Sequence, residues 1–349
     1  MFIFLSSGAS PRYRQDILRA LEMPKGARLQ FRYDSKWIAA NVRDLIPKKE
    51  VSGTPSLIAY IDQHDKTKTP ELIPCRFAVL VDAVSHGSTV SLTLALEEFG
   101  HAENLVAFNS EMKSAYDKLP TWGPEGSISG AYWVDIAQEL KTAARSTTLA
   151  TWEKIVAQLA ERPDFAGESF FYVVEGLYQI GKDSPLSHEE GSYKLAAGRE
   201  YEMRIYHFHP RKAPEQTWLR LATASESLGF TTNPLLSIDS RYDMKRARLK
   251  AGKPAKQEHT VFSIYRVTSD RQDVLGTWEF DLALRIKGSF WPTLIQGIVL
   301  GILLAGPQIV AAFSNPSLPP RNVAAISIVS AILGLGAGIF EAFGLRRFV

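Results

Sequence analysis

The sequence predicts a multidomain α+β protein that ends in a transmembrane α-hairpin. Three observations predict this class: two long uncharged runs near the carboxyl end, period-2 alternation over 166–288, and a β-rich pattern in 1–115. We therefore divide the chain into four parts. They are a small barrel-like β-rich α+β module (1–115), a linker with two amphipathic helices (116–165), an immunoglobulin-like β-sandwich (166–288) and a two-span transmembrane hairpin (289–349).

Composition limits the classes of function. The chain has 349 residues, 22% of them charged, and a formal net charge of +3. This near balance argues against a broad nucleic-acid-binding surface. The single cysteine, Cys75, excludes an intramolecular disulfide and indicates a reducing compartment. The apolar run Met1–Leu5 is too short for a signal peptide and lacks a basic lead, so we interpret it as the first strand.

The N-terminal module combines short strands with short helices. Ser10-Pro11 predicts the start of a helix, because serine caps helices and proline is favoured at their first position. Alternating residues over 29–33 predict a half-buried strand, and the pattern over 76–97 predicts a hairpin. About five strands with two short helices favour a small β-barrel or a rolled α+β module.

Apolar residues at helical spacing follow the linker. The spacing over 133–144 predicts one amphipathic helix, the spacing over 152–159 predicts a second, and Arg162-Pro163 ends it. Each helix would have one buried and one solvated face. We interpret the pair as a spacer packed on its neighbours.

The third part alternates with the period of a strand. Six runs separated by turn residues predict an antiparallel sandwich. They are Phe170–Tyr178, Arg199–Phe208, Trp218–Thr223, Leu235–Tyr242, Thr260–Val267 and Gly276–Ile286. The turn at 195–201 resembles the strand-entry turn of immunoglobulin-like sandwiches. In the last run the alternation predicts that Trp278 and Phe280 face the core and that Glu279 faces solvent.

The carboxyl end carries the two uncharged runs, Leu294–Phe313 and Val323–Ile339, joined by a polar link. A membrane-spanning helix needs roughly 20 predominantly apolar residues. The alternative, two core helices of a soluble bundle, would normally keep a polar face. Basic residues flank the runs on the side away from the link, which predicts a multi-pass inner-membrane protein with both termini cytoplasmic. They are Arg285, Lys287, Arg346 and Arg347.

Small residues recur every four positions in these runs. Such spacing lets helices approach closely, either within one hairpin or between copies, so we expect a homo-oligomer. The small residues are Gly297, Gly301, Ser330, Gly334, Gly338 and Ala342. Polar residues in or beside the runs would seek protein partners or water, because lipid solvates them poorly. These residues are Gln296, Gln308 and Glu341.

A basic run precedes the last sandwich strands. Beside a membrane it would attract lipid headgroups, and elsewhere it could bind another anionic ligand or serve as a solvated edge strand. The residues are Lys245, Arg246, Arg248, Lys250, Lys253 and Lys256.

Signals for catalysis are weak. His207 and His209 are two apart on a predicted strand, which is a spacing that can seat a metal, but no third ligand stands at a diagnostic spacing. A Cys75–His86 couple would need an activated thiol. The chain has no Gly-x-Ser-x-Gly or His-Glu-x-x-His motif. We therefore expect no catalytic residues, no bound metal and no cofactor.

The layout is similar to that of bacterial immune and signalling effectors, in which soluble sensor domains precede a short membrane hairpin. This similarity predicts a sensor-effector whose cytoplasmic domains bind a partner protein or a small signal and drive rearrangement of the membrane segment, as in antiviral defence. The alternative is a non-conducting membrane scaffold that recruits a cytoplasmic partner. In either case the lipid bilayer would be one partner.

Overall fold

In the computed structural model the chain is mostly β-sheet, arranged in several sheets around one continuous apolar core. The structure describes residues 1–7, 10–62, 70–113, 131–135, 140–211, 217–254, 256–268, 276–288 and 319–342, with scattered positions between 295 and 314.

Seven strands form the first sheet. They are β1 (Phe2–Ser7), β2 (Arg28–Asp34), β3 (Pro55–Asp62), β4 (Glu71–His86), β5 (Thr89–His101), β6 (Ala131–Asp135) and β7 (Ala144–Ser146). The order is β2-β5-β4-β3-β1-β6, with β7 beside β5. Only β1 and β3 pair in parallel among these described strands. A bridge between Ile38 and Trp133 also brings the chain after β2 beside β6, at the opposite end of this order.

Ten further strands form two sheets that resemble a β-sandwich. They are β8 (Phe171–Gln179), β9 (His188–Glu189), β10 (Ser192–Leu195), β11 (Glu200–Phe208), β12 (Thr217–Thr223), β13 (Leu228–Phe230), β14 (Leu235–Ile238), β15 (Tyr242–Ala251), β16 (Glu258–Val267) and β17 (Thr277–Ile286). One sheet has the order β13-β15-β11-β8, and the other has the order β14-β12-β16-β17-β10-β9. Strands β10 and β17 pair in parallel.

Helices join the first sheet to the sandwich. The described helices are α1 (Pro11–Glu22), α2 (Ala40–Arg43), α3 (Leu105–Glu111), α4 (Leu149–Ala160) and α5 (Pro320–Ala342), with 3-10 turns at Ser35–Trp37 and Pro163–Phe165. Helix α1 contacts β1, β3 and β4 on one side and β8 on the other. In α4, Trp152 donates from its indole nitrogen to the Leu21 carbonyl at 3.1 Å and packs edge-on against Tyr206 of β11. The two β units therefore share one core through these helices.

The first predicted amphipathic helix is wrong where the structure describes it. Residues Ala131–Asp135 form β6, which is antiparallel to β1. The physical reason is aromatic packing: the buried Trp133 ring lies 5.3 Å from Phe2 and 5.2 Å from Phe4. The second predicted helix corresponds to α4.

The predicted transmembrane hairpin is also wrong. Within the described residues, no helix combines the length and apolar character needed to cross a bilayer. The fold is therefore a β-rich arrangement of several sheets, in place of an α+β protein with two membrane helices. The prediction of a multi-pass inner-membrane location with cytoplasmic termini is wrong for the same reason.

Candidate functional site

A cleft of about 370 Å³ lies where β4 and β5 of the first sheet meet β8 of the sandwich. The loop after α1, the start of α4 and Pro185 complete its walls. Its volume is within the range of small-molecule pockets, which are mostly apolar and carry a few polar groups. We therefore take this cleft as the candidate site.

Arg76 is the most unusual group in the wall. It lies on β4 and is only 2% exposed. Its guanidinium stacks on Phe99 at 4.1 Å, and its Nε donates to the Glu97 carbonyl at 2.6 Å. Its Nη1 is buried and has no hydrogen-bond partner in the described part of the chain. Burial lowers the pKa of Arg76 to about 9, although the charges of Glu98 and Glu97 act in the opposite direction.

A β-bulge explains the local backbone. Arg76 pairs with Phe99 and Ala78 pairs with Leu96, so β5 carries one more residue than β4 at this point. A bulge leaves backbone groups outside the regular ladder. The Glu97 carbonyl is thus available to the Arg76 side chain.

The two glutamates of this bulge are engaged with Lys25. The Lys25 ammonium lies 3.1 Å from the Glu97 carboxylate and also pairs with Glu98. The hydrogen bond from Lys25 holds the pKa of Glu98 below its usual value, and the same bond raises the pKa of Lys25. Arg145 contributes a weaker contact to Glu98 at 3.8 Å. Lys25 therefore compensates the charge of both glutamates.

Helix α4 begins at the cleft. Thr147, Thr148 and Leu149 line it, and the Thr148 hydroxyl caps the helix by accepting from the Thr151 amide at 3.3 Å. The first amides of a helix lack partners within the helix, and together they carry a partial positive charge. This end of α4 adds to the positive potential near Arg76.

The predicted basic residues lie elsewhere, on and after β15. On the strand they are paired with nearby acids: Lys245 with Asp239 and Asp243, Arg246 and Arg248 with Glu202, and Lys250 with Glu200. Lys253 and Lys256 are exposed beyond the strand. The structure does not bring this group to the cleft, and binding of an anionic ligand there stays a prediction.

Five of the small and polar residues predicted to pack between helices fall within α5. Ser330 and Gly334 are buried in this helix, and Gly338, Glu341 and Ala342 lie towards its end. Gln296, Gly297, Gly301 and Gln308 lie outside the described residues. A role in close helix packing and self-association stays a prediction.

The histidines and the cysteine are buried. His207 and His209 have ring centroids 5.5 Å apart, and burial lowers the pKa of each. Each ring bonds a backbone carbonyl, that of Ser240 or Ser169. Burial raises the pKa of the Cys75 thiol to about 12, so it is not an activated thiolate at neutral pH. His86 stands at the far end of β4.

Sequence reasoning missed Arg76. One signal was present: Arg76 is the lone charge in the otherwise apolar run over 72–81. Arginine is almost never fully buried without a partner, so its position could have identified it as a candidate.

Comparisons with known proteins give little. No protein-family model matches the chain, and no curated protein matches it. Among solved structures it is similar to the class 5 fimbriae chaperone CfaA, at 19% identity over 28% of this chain and 54% of that one, with a TM-score of 0.20. It is similar to WR4, a C. elegans MSP family member, at 9% identity over 28% and 92%, with a TM-score of 0.20. The N-terminal domain of PorA has 10% identity over 33% and 97%, with a TM-score of 0.21.

Proposed function

We propose that this protein is a sensor that binds a small signal molecule in the cleft between the first sheet and the sandwich. The observation that carries the proposal is the shared construction of the cleft: β4 and β5 form one wall, β8 forms another, and α4 begins at its edge. A molecule bound there contacts both β units at once.

Such a position couples binding to the arrangement of the two units. A ligand shifts a conformational equilibrium only when it binds one arrangement more tightly than another. Since the cleft takes its walls from both units, its shape depends on how they are placed. Occupancy therefore favours the arrangement in which both walls contact the ligand.

Blocking the cleft tests the proposal. Thr147 is an exposed lining residue, so Thr147→Trp should obstruct the cleft without disturbing the core. We expect at least one member of a metabolite panel to raise the melting temperature of the full chain and to lose this effect in Thr147→Trp. A ligand at about 100 times its Kd stabilises a protein by about 2.7 kcal/mol.

The control is Val106→Trp, which places the same bulk at an 81% exposed position on α3, away from the cleft. It should respond as the wild type does. A panel that leaves the wild type unchanged, or that stabilises Thr147→Trp equally, would contradict the proposal.

A second candidate function is recruitment of a partner protein through β15. Residues 242–247 pair with β11 on one side, whereas on the other side no described strand pairs with them and β13 pairs with 249–251. An open edge can accept an additional strand from a partner. The arginines on this strand favour an acidic segment.

A further inference from the structure

Arg76 presents an energetic problem. A guanidinium has five N–H donors, and a buried charge is costly unless it is paired and hydrogen-bonded. The described residues give Arg76 one backbone acceptor and an aromatic face, and they leave Nη1 without a partner. An unsatisfied buried group in a folded protein requires an explanation. An acceptor supplied from the cleft would provide one.

We propose that the ligand of this cleft carries one anionic group, a carboxylate or a phosphate monoester, on an apolar body, and that the anionic group binds between Arg76 and the N-terminus of α4. This inference rests on the proposed sensor function and names the chemical class of its signal. The guanidinium fork matches carboxylate and phosphate oxygens in pairs. The amides at a helix N-terminus attract the same groups.

The other walls select the body of the ligand. Phe99, Leu149, Val173 and Val174 supply apolar surface beside the two anion-attracting groups. Pockets of this kind gain affinity from apolar contact and orientation from a few polar groups. An aromatic or aliphatic anion therefore fits better than an inorganic one.

The acidic residues of the cleft limit the charge of the ligand. Glu97 and Glu98 are compensated by Lys25, but Glu175 is an exposed carboxylate on the β8 wall. A second anionic group placed near these carboxylates would be repelled. The cleft should therefore prefer a single anionic group over a polyanion.

The test uses the full chain with phenyl phosphate, inorganic phosphate and neutral benzyl alcohol, at constant ionic strength set with chloride. Thermal unfolding should show stabilisation by phenyl phosphate at lower concentrations than by inorganic phosphate, and none by benzyl alcohol. Arg76→Met keeps most of the side-chain volume and removes the charge. It should weaken the apparent affinity for phenyl phosphate by about tenfold or more, since charged hydrogen bonds are lost.

Arg19→Met is the matched control. Arg19 stacks on Trp278 at 4.7 Å, and its Nε donates to the Glu279 carbonyl at 2.8 Å, as Arg76 does with Phe99 and Glu97, but it does not line the cleft. It should keep the response to phenyl phosphate. In chloride buffer alone, Arg76→Met should melt at or above the wild-type temperature, because it removes an unpaired buried charge.

A purely structural Arg76 would give the opposite pattern: Arg76→Met would be destabilised in chloride buffer and would keep the full phenyl phosphate response. If Arg76→Met does not fold, Arg76→Lys serves instead. Lysine keeps the charge but lacks the guanidinium fork, so this variant should still bind phenyl phosphate more weakly than the wild type does. A wild type that ignores phenyl phosphate but binds a neutral panel member overturns this inference and leaves the sensor function standing. A wild type that binds neither overturns both.

Discussion

At the scale of single residues, the unexpected features are buried charges. Glu279 was predicted to face solvent, yet it is 3% exposed. The pairing of β17 with β16 passes from Phe280 directly to Trp278, so Glu279 is the extra residue of a bulge. A bulge redirects a side chain, and strict alternation in the sequence does not reveal where one occurs.

The pH dependence of stability tests the burial of the Asp16 carboxyl group. It is 5% exposed on α1, and burial raises its pKa from 3.8 to about 7, against the lowering effect of Arg12 and Arg19. Because the folded-state pKa lies above the unfolded one, the stabilising contribution is full below about pH 4 and is lost as pH rises to about 7. This difference corresponds to up to about 4 kcal/mol.

We therefore expect the free energy of unfolding of Asp16→Asn to fall less than that of the wild type as the pH rises from 4 to 7. Urea unfolding of both proteins across this range would measure the difference. Asp44→Asn, at an exposed aspartate, serves as the control and should keep the wild-type pH dependence. Parallel curves for the wild type and Asp16→Asn would contradict the prediction.

At the scale of elements, the sequence was informative where the period was regular. The run predicted over 170–178 is β8, and the run over 276–286 contains β17. The single strand predicted over Leu235–Tyr242 is instead β14 and the start of β15, which belong to different sheets. The spacing of apolar residues does not show where the chain passes from one sheet to the other.

The candidate site was less predictable than the strands. Its walls come from β4, β5, β8 and α4, and only tertiary packing brings them together. The loop at Lys25 and the glutamates of β5 are more than 70 residues apart, yet they form its ion pairs. Single-sequence reasoning identifies residue types and periods, but it does not show such distant contacts.

A peptide-binding experiment tests whether the edge of β15 at residues 242–247 accepts an additional strand. An extended peptide of alternating glutamate and valine, labelled with fluorescein, should bind the full chain as an added strand and show increased anisotropy. Arg246 and Arg248 are both more than half exposed and project from this strand. Reversing both charges with Arg246→Glu and Arg248→Glu should weaken binding by roughly tenfold, because each exposed ion pair contributes up to about 1 kcal/mol.

The control carries the same change of charge at Lys253→Glu and Lys256→Glu, which lie beyond the strand. Equal weakening by both double variants would mean that the peptide responds to net charge alone. That result would contradict docking on the β15 edge.

At the scale of the whole molecule, one arginine connects the two β units. Arg266 of β16 lies 3.6 Å from Glu22 of α1, 3.0 Å from Glu168 and 3.1 Å from Glu279. Burial would lower the pKa of Arg266, but the surrounding carboxylates outweigh it and raise the pKa. Burial and the neighbouring Glu279 charge raise the pKa of Glu22 well above its usual value. The cluster therefore gathers three acids around one arginine where α1, β16 and β17 meet.

Removing this arginine should loosen the junction between the units. Breaking a buried ion pair costs about 3–5 kcal/mol, because it leaves an uncompensated buried charge. We expect Arg266→Met to lower the free energy of unfolding by this amount. Adding Glu22→Gln should restore part of the loss, since it removes the α1 carboxyl group that is left unpaired.

A double-mutant cycle in urea measures this coupling directly. Residues in one buried network show interaction energies of about 0.5–3 kcal/mol, whereas independent sites add. Because the cluster joins α1 and β16, a positive coupling would show that charge holds the first sheet and the sandwich in one arrangement. If Arg266→Met costs the same with and without Glu22→Gln, the contact between Arg266 and Glu22 does not hold the junction, and the cleft keeps its shape without help from this cluster.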